Sequence, residues 1–147
     1  MELIETRKEY RFRILGKVKA KQSVKLGLHG TYTPADMVHY ANWVKSCFKK
    51  DYPEHLPSEL VGYQLVVNIY VYIKAPESFS NKKKKLAEQG YLRPTVKPDW
   101  DNISKNICDA LNGIAYPDDK AIVDGSVHKY YSDMDYVNVE IIGRKWE

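Results

Sequence analysis

The chain has 147 residues, 44% apolar, 12% aromatic and 29% charged, which suits one ordinary globular domain over 1–147 and excludes wholesale disorder or a disulfide-dependent miniprotein. The net charge of +4 comes from 23 bases against 19 acids and by itself says little about a polyanionic partner. No apolar run approaches the roughly 20 residues of a membrane helix, and residues 1–5 (MELIE) carry acids where a signal peptide carries bases, so a cytoplasmic protein with no membrane partner is expected.

Residues 9–15 alternate, with Tyr10, Phe12 and Ile14 on one side and Arg11 and Arg13 on the other, the period of a half-exposed strand. From 16 to 30 the chain is rich in Gly, Lys, Ser and Gln and reads as a loop. Thr33 and Pro34 suit the N-cap and first position of a helix whose apolar stripe runs through Met37, Val38, Ala41, Val44 and Phe48 and ends near Lys49 and Lys50. Pro53 and Pro57 bracket a loop. Residues 63–73, dense in β-branched and aromatic side chains, read as a central strand, and 82–85 as a short basic helical segment. After a linker over 90–98, a helix is expected from about Trp100 to Asn112, ended by Gly113. Strands over 121–131 and 136–142 follow, joined by a turn at 132–135, the order of a hairpin. Together these predict an α+β domain with helices packed against a mixed or largely antiparallel sheet.

Charge is unevenly distributed. Between Arg7 and Lys25 stand eight bases, including Lys17, Lys19, Lys21 and Lys25, against the single acid Glu9. Between Asp99 and Asp124 the balance reverses, with six aspartates against Lys105 and Lys120. A basic arm suits a polyanion and an acidic centre suits cations. Cys47 and Cys108 have neither zinc-site nor disulfide spacing, and the four histidines show no ligand spacing. Both cysteines are expected as small buried hydrophobes.

On a helical wheel Ile103, Ile107, Ala110, Leu111 and Ile114 share one face of the Trp100 helix, while Asp101, Lys105 and Asn112 share the other. Singly, each acid has an ordinary explanation: Asp99 an N-cap, Asp101 and Lys105 an i,i+4 surface pair, Asp118 and Asp119 a turn. Together, carboxylates gathered near one helix start repel unless protonated or neutralised, and a hard divalent cation is the usual neutraliser. Magnesium combines few carboxylates with water and phosphate oxygens, so the set suits metal-assisted phosphodiester cleavage, the metal generating hydroxide and Lys105 meeting the phosphate as a point charge.

The segment Lys97-Pro98-Asp99-Trp100-Asp101-Asn102-Ile103-Ser104-Lys105, then Asp109-Ala110-Leu111-Asn112-Gly113 and Asp118-Asp119, closely resembles the RusA family of Holliday junction resolvases, carried largely by bacteriophages and prophages. The family's pattern is Asp-x-Asp-Asn-x-x-Lys, then Asp-Ala-Leu, then paired aspartates before a strand. The likeness spans roughly residues 10–142. It implies a homodimeric, Mg²⁺-dependent endonuclease, with Mn²⁺ as the alternative ion and no organic cofactor, that binds four-way DNA junctions in recombination and repair and nicks two opposing strands symmetrically. Carried over, Asp99, Asp101 and Asp119 are catalytic carboxylates and metal ligands, Lys105 is the catalytic lysine and Asp118 a supporting ligand. Lys17, Lys19, Lys21 and Lys25 remain the expected DNA contacts, although Val18 and Ala20 stand where family members often have prolines. A catalytically silent DNA-binding module of the same fold, or a metal-dependent nuclease on RNA or on other DNA, stays open as an alternative.

Overall fold

A computed structural model of the chain describes residues 1–19, 25–27, 30–32 and 35–147, with side chains for 1–19 and 39–147. Strand β1 (Glu5–Leu15) is followed by two three-residue strands, β2 (Lys25–Gly27) and β3 (Gly30–Tyr32), and helix α1 (Ala35–Asp51). Then come β4 (Gln64–Lys74), α2 (Asn81–Glu88), α3 (Trp100–Leu111), β5 (Ile122–Ser132) and β6 (Tyr136–Trp146). The expected caps Thr33 and Pro34 lie outside the described residues. The stretch expected as loop from 16 to 30 carries β2, which pairs antiparallel with β3 from Lys25↔Tyr32 to Gly27↔Gly30. The two strands stand two residues apart, the spacing of a tight hairpin, which composition alone did not reveal.

The alternating strands behave as their period requires. Leu65, Val67, Ile69 and Val71 of β4, Val137, Val139 and Ile141 of β6, and Phe12 and Ile14 of β1 are buried on one face of the sheet. There they meet Val44 and Phe48 of α1 and Ile103, Ile107 and Leu111 of α3 in one continuous core. The other face bears a polar row across all four main strands. In it Glu140 accepts from Arg11 Nε at 2.9 Å and Asn68 Nδ2 at 3.0 Å, and Asn68 Oδ1 accepts from Ser126 Oγ at 2.7 Å.

The sheet order is β1-β6-β4-β5, with β4 antiparallel to β6 and parallel to β5. This corrects the expected hairpin: β5 and β6 are consecutive but not neighbours, because β4 lies between them. The end of β4 enters the connecting turn, where the Ala75 N–H donates to the Ser132 carbonyl at 2.9 Å and the Lys74 N–H to Asp135 Oδ1 at 2.9 Å. The turn thereby satisfies two backbone donors of the strand it straddles. A parallel pair needs a long crossover, and the crossover from β4 to β5 is the segment that carries α2 and α3. The acidic helix is therefore held over the sheet by both of its connections.

Candidate active site

Helix α3 presents its acids as the wheel requires: the isoleucine face is buried, and Asp99, Asp101 and Lys105 are exposed. Asp99 occupies the N-cap with extended backbone (φ −70°, ψ 151°), yet its carboxylate makes no capping hydrogen bond. The helix thus does not use the one acid that ordinary capping would explain. Among the described residues Asp101 and Lys105 make no ion pair with each other, so the i,i+4 explanation does not apply either. Asp99 and Asp101 line a hollow of about 430 Å³ together with Thr95, Val96, Trp100 and Lys129. Lys105 and Asp119 line a second, of about 280 Å³, with Ser104, Cys108 and Ser126. Trp100 belongs to the walls of both.

The far end of α3 holds the second pair of acids. Gly113 takes φ 71°, the left-handed C′ conformation that its sequence position suggested. Asn112 Oδ1 then accepts the Asp119 N–H at 2.9 Å, and Asp118 Oδ1 accepts the Lys120 N–H at 3.1 Å as the chain enters a short 3₁₀ turn. The backbone N–H of Lys120 and a hydrogen bond from Asp119 hold the Asp118 carboxyl below its usual range. The Asp119 carboxyl is pushed up, first by partial burial and then by its bond to Asp118 and the charge of Asp109.

A testable consequence concerns pH. Because Asp119 holds its proton to a higher pH when folded than when unfolded, its contribution to stability is present below the ordinary aspartate pKa of about 3.9 and is lost as pH rises through the folded value. Asp119→Asn keeps a donor toward its neighbours and carries no charge. It is expected to melt above wild type at pH 7 and level with it below about pH 3.9, as read by thermal unfolding across that range. A wild-type advantage at pH 7 would contradict the assignment.

Endodeoxyribonuclease RusA is the family that matches the chain, over residues 12–142. This chain belongs to the RusA endodeoxyribonuclease family. It is also 41% identical over 111 residues to the uncharacterized protein YqaN of Bacillus subtilis strain 168, an alignment covering 71% of this chain and 78% of that one.

For a RusA-family chain the acids raise the question of a divalent ion. Among the described residues no three His, Cys, Asp or Glu side chains converge closely enough to hold a metal between them. What the chain offers is two exposed carboxylates, Asp99 and Asp101, on an open hollow, with Asp119 across the indole of Trp100. Magnesium takes one or two carboxylates and fills its octahedron with water and phosphate, so this donor set fits such an ion.

Two residues of this RusA-family site were not read from the sequence. Lys129 donates from Nζ to the Val96 carbonyl and, at 3.0 Å, to the Pro98 carbonyl, fastening the segment that leads into Asp99. Partial burial lowers its pKa, with the Asp99 charge acting in the opposite sense. The available signal was its register, since Lys129 shares a face of β5 with Val127, which packs against the core, and with Tyr131. Asn106, only 4% exposed on the apolar side of α3, donates from Nδ2 to the Lys19 carbonyl at 2.6 Å. Asn106→Ala removes this hydrogen bond from a buried side chain and is expected to cost about 0.5–1.5 kcal/mol, measurable by denaturant unfolding; a variant as stable as wild type would remove the tether from the account.

The tether joins the acidic helix to the basic arm. Lys17 and Lys19 are exposed while Val18 between them is buried in the core, 6% exposed, so the start of the arm is anchored at that residue. Lys21 lies outside the described residues, as does the side chain of Lys25, whose backbone is in β2. Lys82 to Lys85 are exposed on α2, and Lys84 borders a separate hollow with Tyr131 and Asp133. Cys47 is buried and Cys108 half-buried, both free. Burial pushes the Cys108 thiol up to about 11, so it stays protonated beside Lys105 and Asp119.

Proposed function

We propose that this RusA-family chain is a Mg²⁺-dependent, structure-selective endodeoxyribonuclease that resolves four-way DNA junctions by paired symmetric nicks, acting as a homodimer. The observation that carries the reading is the start of α3, where Asp99 and Asp101 stand exposed, without capping or pairing roles, on one hollow, with Lys105 a turn further on. Lys129 on the same hollow interacts with the Asp99 charge, and a hard divalent cation would neutralise both carboxylates together. Asp99 and Asp101 would hold a Mg²⁺ or Mn²⁺, which would supply charge neutralisation on the phosphate and hydroxide at neutral pH; Asp119 and Asp118, which do not converge with them in this structure, complete the proposed acidic set.

The chain's own groups do the rest. Lys105, with no carboxylate partner among the described residues, directs its charge to the non-bridging phosphate oxygens, where negative charge grows at the transition state. Lys129 and Asn112 hold the acids by their backbones, at Pro98 and Asp119 respectively, so the site is set before DNA arrives. The protonated Cys108 is a poor nucleophile. His55 is occupied by the Ala115 carbonyl and Glu59, and His128 is stacked on Tyr70. In this reading water, activated at the metal, is the attacking group. Lys17 and Lys19, with Lys21 and Lys25, supply phosphate contacts along the arm. One chain carries one set of acids, and two opposed cuts require two chains.

The test is a gel assay of the purified full chain on a four-way junction, a three-way flap and a linear duplex, with Mg²⁺, Mn²⁺ or EDTA. Paired nicks in the junction, absent in EDTA, are expected. Equal cutting of the duplex would favour a less selective nuclease. Binding without cleavage in either metal would favour a silent DNA-binding module.

A further inference from the structure

We propose that Trp100 is a base-stacking residue that selects unstacked nucleotides at the cutting site, an inference that rests on the nuclease reading above. Trp100 opens α3 and is 68% exposed, the most exposed of the three tryptophans. Trp43 has its indole N–H on the Leu15 carbonyl at 2.8 Å. Among the described residues the Trp100 indole N–H has no partner and its ring stacks on no other ring. A side chain of this size at a helix start ordinarily anchors the helix to a core, but here Ile103, Ile107 and Leu111 do that work from the opposite face. The indole is left as a ridge between two hollows, with Asp99 and Asp101 on one side and Lys105 and Asp119 on the other.

The neighbours of the ridge decide what can lie on it. An apolar protein surface settling on Trp100 would bury Asp99, Asp101, Lys105 and Lys129 with it, and uncompensated burial of charge is costly. A nucleobase has one flat face to stack and polar edges that stay wet, and its own backbone phosphate falls beside the same charged groups. Stacking of a base on an aromatic side chain contributes to binding without regard to sequence. In a continuous duplex both faces of every base are already covered. At a branch point or flap a base can leave the stack at small cost, so the indole rewards DNA that is distorted where the strand is to be cut. Selection of structure over sequence then has a residue attached to it.

The experiment uses the full-length protein with a four-way junction carrying 2-aminopurine at the branch, and a duplex of the same sequence. Wild type is compared with Trp100→Ala, Trp100→Phe and Trp100→Leu. In EDTA, wild type is expected to change the probe's fluorescence in the junction. Trp100→Ala is expected to weaken junction binding and raise KM about ten-fold or more, leaving duplex binding unchanged. Trp100→Phe restores most of the loss and Trp100→Leu does not, because bulk without a π face cannot stack. Equal behaviour of the Leu and Phe variants, an unaltered KM in Trp100→Ala, or a change in sedimentation mass, which would make the ridge a contact between copies, each overturns the proposal. Wild type that neither binds nor cuts the junction overturns the nuclease reading instead.

Discussion

Asp101→Asn is expected to abolish Mg²⁺-dependent nicking of a four-way junction, with a rate loss of about 10³-fold or more, while junction binding holds or tightens. The side chain is exposed in the first turn of α3, so the isosteric amide costs the fold only the interaction of a negative charge with the helix N-terminus, about 0.3–1 kcal/mol. What it removes is the charge that a divalent ion needs. Without the metal that same charge repels phosphate, so its loss favours binding as much as it disfavours chemistry. Rates from single-turnover gels and affinities from EDTA titrations separate the two effects, and cleavage retained in this variant sinks the assignment.

Lys105→Ala is expected to lower the cleavage rate about 10²–10³-fold, the loss seen when one transition-state donor is removed, with the Mg²⁺ dependence of the remaining activity unchanged. The reasoning is positional. Lys105 shares a hollow with Asp119, carries no ion pair to Asp101, and stands exposed one turn from the helix start. Its charge is therefore not needed for the fold and is available to substrate. A wild-type rate would remove Lys105 from the mechanism.

The parts of this molecule that were legible in the sequence are those governed by near neighbours. The α3 stripe of Ile103, Ile107 and Leu111, the C′ role of Gly113, and the alternation of Tyr10, Phe12 and Ile14 are short-range patterns, and each is found in place. Pairing is different, because which strand sits beside which depends on contacts far apart in the chain. Nothing between 132 and 135 indicated that Lys74 and Ala75 would enter that turn. The acids show the same division: their residue types and their exposure were readable, but their distribution over two hollows separated by Trp100 was not. Lys129 and Asn106 escaped notice because each acts on the backbone of a distant segment, at Pro98 and Lys19.

The insertion of β4 between β5 and β6 excludes the simpler pairing of consecutive strands. The short link over 133–135 is long enough to close those strands on each other directly, as adjacent strands commonly do. In that arrangement β5 would occupy the place of β4, and the crossover that holds α3 would no longer exist. In the arrangement found, Leu65, Val67, Ile69 and Val71 are buried in the core while β4 is paired on both sides. These four side chains, none of them near an aspartate in sequence, belong to the strand whose central place obliges the chain to cross over and carry the acids above the sheet. Substitutions in β4 should accordingly be judged by which pairing survives as well as by how much stability is lost.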